Sequence, residues 1–178
     1  MASPQPQAQQ DVRAFFLPMD GADRTRRISF LFNQSQVVEI LGERPIQEIP
    51  FSPRYMLGII SYQGQLLPVI SLPHLCGHAP EEGTHRYKQL MIVRTGVSDP
   101  DSGEPLKVAL ATKAAIRTHK LSVQALANGF TRQQAPDWLL AMDGLRGFFQ
   151  WRDEFVALVQ LNHVALGGDS SVSEGVEH

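Results

Sequence analysis

Short runs rich in β-branched and aromatic side chains alternate along the chain with clusters of glycine, proline and aspartate. They recur about every ten residues, the spacing of short strands rather than long helices. "VRAFFLPM" (12–19) predicts a strand, "DGADR" (20–24) a turn, and "RRISFLF" (26–32) a returning strand. "RPIQEIP" (44–50) predicts a short strand bracketed by prolines, and "FSPRYM" (51–56) one helical turn at most. "YKQLMIVRT" (87–95) and "LKVALAT" (106–112) predict strands flanking a long polar loop, "GVSDPDSGEP" (96–105). "GLRGFFQW" (144–151) and "FVALVQL" (155–161) predict a hairpin that turns at "RDE". Helix is expected in two places only. One is Leu121–Ala127, about two turns; the other is "APDWLLAM" (135–142), where Pro136 and Asp137 stand as helix starters.

The densest apolar stretch is "LGIISYQGQLLPVISL", residues 57–72. A helix there would carry Gly58, Gly64 and Pro68, and an interior proline alone costs about 3 kcal/mol. A hairpin fits better, with Leu57–Tyr62 outward, Gln63 and Gly64 at the turn, and Gln65–Leu72 back. Pro68 cannot donate to a strand ladder, so it requires an edge or a bulge. Apolar residues on both faces imply strands buried on both sides, as in small closed barrels.

Apolar content of 43% and charged content of 19% suit an ordered globular chain of 178 residues. The exceptions are the ends: residues 1–11, rich in Gln and Pro, and 167–178, poor in apolar side chains, are expected to be disordered. The first residues lack the basic and apolar regions of a signal peptide, and no apolar run approaches the ~18 residues of a membrane span. One cysteine, Cys76, excludes an internal disulfide and fits a reducing, cytoplasmic setting. A net charge of −2 supplies no basic surface for nucleic acid. Arg24, Arg26 and Arg27 lie beside aspartates and are expected to be a solvated turn.

The string most like a reactive or metal site is "HLCGH". In an extended chain His74, Cys76 and His78 project to one side and could converge on zinc, with His85 as fourth ligand. The plainer reading packs Leu75 and Cys76 at a barrel end with the histidines in water. Cys76 has no base placed to activate it. Glu81, Glu82, Asp99 and Asp101 lie in polar loops. Trp138, Trp151, Phe148 and Phe149 are either a base-stacking platform or, more simply, core. No phosphate-binding or nucleophile-elbow motif occurs, so no cofactor is expected and the chain should work by binding.

"PFSPRYMLGIISYQGQLLPVISLPHLCG" resembles the signature of CheW-like domains, adaptor domains of bacterial chemotaxis signalling. Pro50, Pro53, Leu57, Gly58, Ile59, Gly64, Pro68, Val69 and Leu72 fall in its register. "QVVEI" resembles the family's V-x-E-I, and "LRGFFQWRDEFVALVQLNHVAL" its closing hairpin with a short helix after it. Three polar positions depart: in N-L-R-G, Asn is Ser61 and Arg is Gln63, and the Asp of the following D-L is Ser71. The V-D-x-V string has no counterpart Asp, only Thr112 or Lys113.

The resemblance covers residues 12–166 and implies an all-β fold, one domain of two intertwined five-stranded SH3-like barrels with one core per half and a few short helices. It implies a non-enzymatic adaptor joining the cytoplasmic tip of a methyl-accepting chemoreceptor to the regulatory domain of a CheA-type histidine kinase. Carried over by position, it places receptor contact at Val37, Glu39, Ile40 and Gln63, and kinase contact at Leu57 and Gly58. The alternative is a metal- or ligand-sensing β-barrel using His74, Cys76 and His78.

Overall fold

The computed structural model describes residues 11–19, 27–78, 86–122, 136–140, 142 and 144–162. Ten strands are described: β1 (Asp11–Pro18), β2 (Arg27–Asn33), β3 (Val37–Gly42), β4 (Met56–Tyr62), β5 (Gln65–Ile70), β6 (Gln89–Ser98), β7 (Pro105–Thr112), β8 (Arg117–Ser122), β9 (Leu145–Trp151) and β10 (Glu154–Val159). Two single-turn helices are described with them, α1 (Leu72–Leu75) and α2 (Asp137–Leu140).

The strands form two five-stranded sheets, ordered β8-β1-β2-β10-β9 and β3-β6-β7-β5-β4. The chain begins in the first sheet, builds the whole second sheet, and returns to finish the first. That interleaving is the intertwined, two-unit SH3-like architecture expected. Each sheet contains one parallel pair, β2 with β10 and β5 with β7. The ladders do not close into full barrels among the described residues; contacts outside the ladders join their edges instead. In the second sheet Gln47 and Ile59 exchange backbone hydrogen bonds of 2.9 Å. In the first, the ring of His119 on β8 lies 6.4 Å from that of Trp151 on β9.

Burial follows this plan, with one addition. Each sheet has its own apolar cluster: Ala14, Phe16, Leu31, Leu121, Phe149 and Val156 in the first, and Leu41, Ile60, Tyr62, Leu67, Val69, Leu90 and Ile92 among those of the second. A third and larger cluster lies between the sheets, where Phe30, Phe32, Phe148 and Ala157 meet Ile70, Met91, Val93 and Leu110. The expectation of one core per half is therefore corrected: the faces turned away from each half's own core bury one another. Phe148 and Phe149 are buried and Trp138 and Trp151 pack against these clusters, so the aromatic residues are core and not a stacking platform.

Several local expectations change. Residues 44–50 contribute one bridge rather than a strand; 51–55 form turns, within the expected limit of one helical turn, and Met56 already opens β4. Asp11 already belongs to β1, and Leu121 and Ser122 end β8 instead of starting a helix. Pro68 stands in an interior strand, but β5 meets β7 only at Val69 and Ile70, so at Pro68 its neighbour is β4 alone. The missing N–H therefore breaks no ladder bond to β7. The tails at 1–10 and 167–178, the turn at 20–24, Arg24, Arg26, Glu81, Glu82, His85, residues 123–127 and the helix expected after the last strand lie outside the described residues. Arg27 faces Asp153 at 3.9 Å on the surface.

Candidate binding surface

The apolar stretch around Gly64 folds as the hairpin β4–β5. Gln63 and Gly64 carry φ of 50° and 78°, the two positive values of a two-residue type I′ turn. Gly64 takes this readily; Gln63 holds it at some cost in strain. One face of the hairpin packs Ile60, Tyr62, Leu67 and Val69 into the second sheet's core. The other face is covered only in part, Leu57 and Ile46 packing against the same core, whereas burial on both sides was expected. Leu66 is 69% exposed, and Leu57 and Ile59 are half-buried. The reason is position: β4 is the edge strand of its sheet.

Pro45 and Ile46 run beside that face and border two shallow grooves. One reaches Leu66 past Gln47 and Ile59, and the other reaches Leu57 past Glu43, Glu48, Arg86 and Tyr87. Arg86 donates to Glu43 at 2.9 Å across the rim of the second groove. Gly58 is buried beneath the bridging segment: a Cβ there would lie 2.2 Å from the Gln47 carbonyl oxygen. Its part is to let Gln47 approach, which shapes the surface around Leu57 from below.

At the sheet's other edge, β3 carries Val37, Glu39 and Ile40. A bulge shifts its register against β6 between Val37 and Glu39. Without it Val37 and Ile40, three apart, would face opposite ways; with it both pack along the border of the shared core, half-buried. Glu39 lies on the opposite face, exposed, and accepts a 2.7 Å hydrogen bond from the Tyr62 hydroxyl. Tyr62 precedes Gln63 directly, so this bond draws the hairpin tip to β3. The structure thus joins Glu39 to the tip that bears Gln63, and separates both from Val37 and Ile40 across the thickness of one strand. The accepting carboxylate, then burial, then its nearby negative charge hold the Tyr62 phenol above its ordinary range.

Three further residues on or near these strands are exposed. Arg94, exposed on β6, donates its backbone N–H to Gln36 and its guanidinium to the Ser35 carbonyl at 2.7 Å, placing a cation beside Val37. Nothing local marks Arg94, because a β-bulge and a turn bring it there. Leu66 had a signal, a leucine next to the turn at an outward position. Phe51 is fully exposed with φ of 63° between Pro50 and Pro53.

The "HLCGH" string does not converge. Leu72–Leu75 form α1, so the extended geometry the zinc reading required is absent. His74 Nδ1 lies 2.7 Å from Ser71 Oγ, Cys76 Sγ contacts Met142 Sδ at 3.3 Å, and His78 stacks on Trp138 at 5.4 Å. Among the described residues no group of three or more His, Cys, Asp or Glu could hold a metal ion. Asp99 caps its own loop, accepting from the Ser102 and Asp101 amides and the Ser102 hydroxyl, which lowers its carboxyl from the usual range. No helix among the described residues is long and apolar enough to cross a membrane.

Comparison with known proteins agrees with this architecture. The sequence profile of the CheW-like domain matches residues 22–142. A probable chemotaxis protein CheW of Rhizobium etli is 41% identical over 58 residues, an alignment spanning 33% of this chain and 37% of that protein. Among solved structures, the scaffolding protein TtCheW of Thermoanaerobacter tengcongensis superposes with a TM-score of 0.61, covering 92% of this chain and 93% of its own at 17% identity.

Proposed function

This chain belongs to the CheW-like domain family, and from that membership we propose that it is a cytoplasmic, non-enzymatic adaptor of a chemosensory pathway, coupling a chemoreceptor tip to the regulatory domain of a CheA-type histidine kinase. One observation carries the reading: the second sheet presents partly uncovered apolar side chains at both of its edges, Val37 and Ile40 on β3 and Leu57 and Leu66 on the β4–β5 hairpin. A molecule that joins two proteins needs two such surfaces.

The receptor surface is β3. Its outer edge is unpaired among the described residues, and a receptor helix laid along it touches Val37 and Ile40 on one side and Glu39 with Gln63 on the other. Completing the burial of Val37 or Ile40 contributes about 1–2 kcal/mol each, with Glu39, Gln63 and Arg94 as polar rim. The kinase surface is the outer face of the hairpin, with Leu57 and Leu66 as apolar contacts and Gly58 setting the backbone path beneath. Gln63 leaves the tip without a cation, so a partner carboxylate gains no charge-assisted bond there. The test is capture of each partner separately: Val37→Glu is expected to weaken receptor capture and leave kinase capture intact.

A further inference from the structure

Resting on the adaptor reading, we propose that Tyr62 is a positioning residue for Glu39, and that the prepared carboxylate selects a lysine or arginine on the receptor helix. The Tyr62 ring is buried in the second sheet's core, 6% exposed, and cannot swing away from β3 without leaving that cluster. Its hydroxyl reaches Glu39 Oε2 at 2.7 Å. Glu39 itself is exposed on an edge strand, where an unrestrained glutamate samples many rotamers and loses that freedom on binding. The bond from Tyr62 removes part of that loss beforehand.

The donor's chemistry matters as much as its position. A phenol fills one acceptor site of the carboxylate and leaves its charge in place. Among the described residues no ion pair includes Glu39, and the next residue along the tip is the neutral Gln63. In the N-L-R-G pattern these two positions hold Leu and Arg; here they hold a neutral donor followed by a neutral amide. The Glu39 carboxylate is therefore oriented but not neutralised, the state in which a cationic partner gains most from meeting it.

The experiment compares wild type, Y62F, E39Q and the double variant for binding to the receptor-tip fragment and to the kinase regulatory domain, alongside ultraviolet titration of the phenols. Y62F is expected to weaken receptor binding about five-fold, the size of one net hydrogen bond. E39Q should weaken it at least as much, the double variant no further than E39Q, and kinase binding should not change. In the titration the phenol assigned to Tyr62 by its loss in Y62F should ionise at lower pH in E39Q than in wild type. Receptor binding by Y62F equal to wild type while E39Q is impaired, or additive losses in the double variant, overturns the positioning role and leaves the adaptor reading standing. A wild type that binds no receptor tip although the titration shows the Tyr62–Glu39 bond overturns the adaptor reading, and this inference with it.

Discussion

A methyl group on residue 58 would sit 2.2 Å from the carbonyl oxygen of Gln47, because the backbone bridge between Gln47 and Ile59 brings the Gln47 main chain directly onto Gly58. The obstacle is main chain, which cannot rotate aside, and φ at Gly58 is +143°. Gly58→Ala is expected to destabilise the fold by at least about 2 kcal/mol, a fall of about 4–8 °C in Tm for a chain of this size. Thermal melting checks it, and an unchanged Tm would show that the Gln47 segment does not lie over β4 in solution.

Cys76 is buried against Met142, and burial pushes its thiol up to about 12. A thiol in that state is neither nucleophile nor metal ligand near neutrality. Its reaction with a disulfide reagent should follow the rate of unfolding and become fast in denaturant. Rapid stoichiometric labelling of the native protein at pH 7.5 would contradict this placement.

His119 bridges the edges of the first sheet through its contact with Trp151, and its ring also meets Phe16. Its Nε2 and the Trp151 Nε1 are buried and find no hydrogen-bond partner among the described residues. Desolvation, then Arg117, with a smaller contribution from Arg152, lower its pKa; Glu154 acts the other way without reversing the shift. A folded pKa below the ordinary ~6.5 means that the unfolded chain binds more protons as pH falls through that region. The His119 contribution is complete above about pH 6.5 and is lost on acidification. His119→Phe should flatten the dependence of Tm on pH between about 5 and 7, and an identical slope in variant and wild type would remove His119 as its source.

Leu66 is exposed in the free protein and makes no part of any apolar core cluster. Leu66→Glu is therefore expected to change stability by no more than about 0.5 kcal/mol. If the hairpin face is the kinase surface, the same change should reduce kinase-domain capture by about tenfold or more, since it buries a charge in an apolar contact. Undiminished capture moves the kinase surface elsewhere.

How much of this was legible depends on whether the signal was local. The β4–β5 hairpin was readable because Gln63-Gly64 and Pro68 forbid a helix within sixteen residues of chain. The β9–β10 hairpin and α2 were readable for similar reasons. Strand β8 was hidden because "RTHKLS" is mostly polar; it is a strand through pairing with β1, Leu121 facing the core and His119 meeting Trp151. The position of Glu39 beside the hairpin tip was equally hidden, since Tyr62 is twenty-three residues away and only the curl of the sheet brings it there. The zinc geometry drawn from "HLCGH" failed because Pro73, early in α1, favours a helical turn over the extended chain that the convergence needed.

The adaptor account rests on two surfaces that act separately, and a three-component sedimentation assay addresses it most directly. A labelled receptor-tip fragment is mixed with the kinase regulatory domain, with and without this protein, at micromolar concentration. The receptor tip is expected to co-sediment with the kinase domain only when this protein is present, and Val37→Glu to weaken recruitment of the receptor while still binding the kinase domain. Failure of the wild-type protein to bind either component, or recruitment by Val37→Glu at the wild-type level, would contradict it.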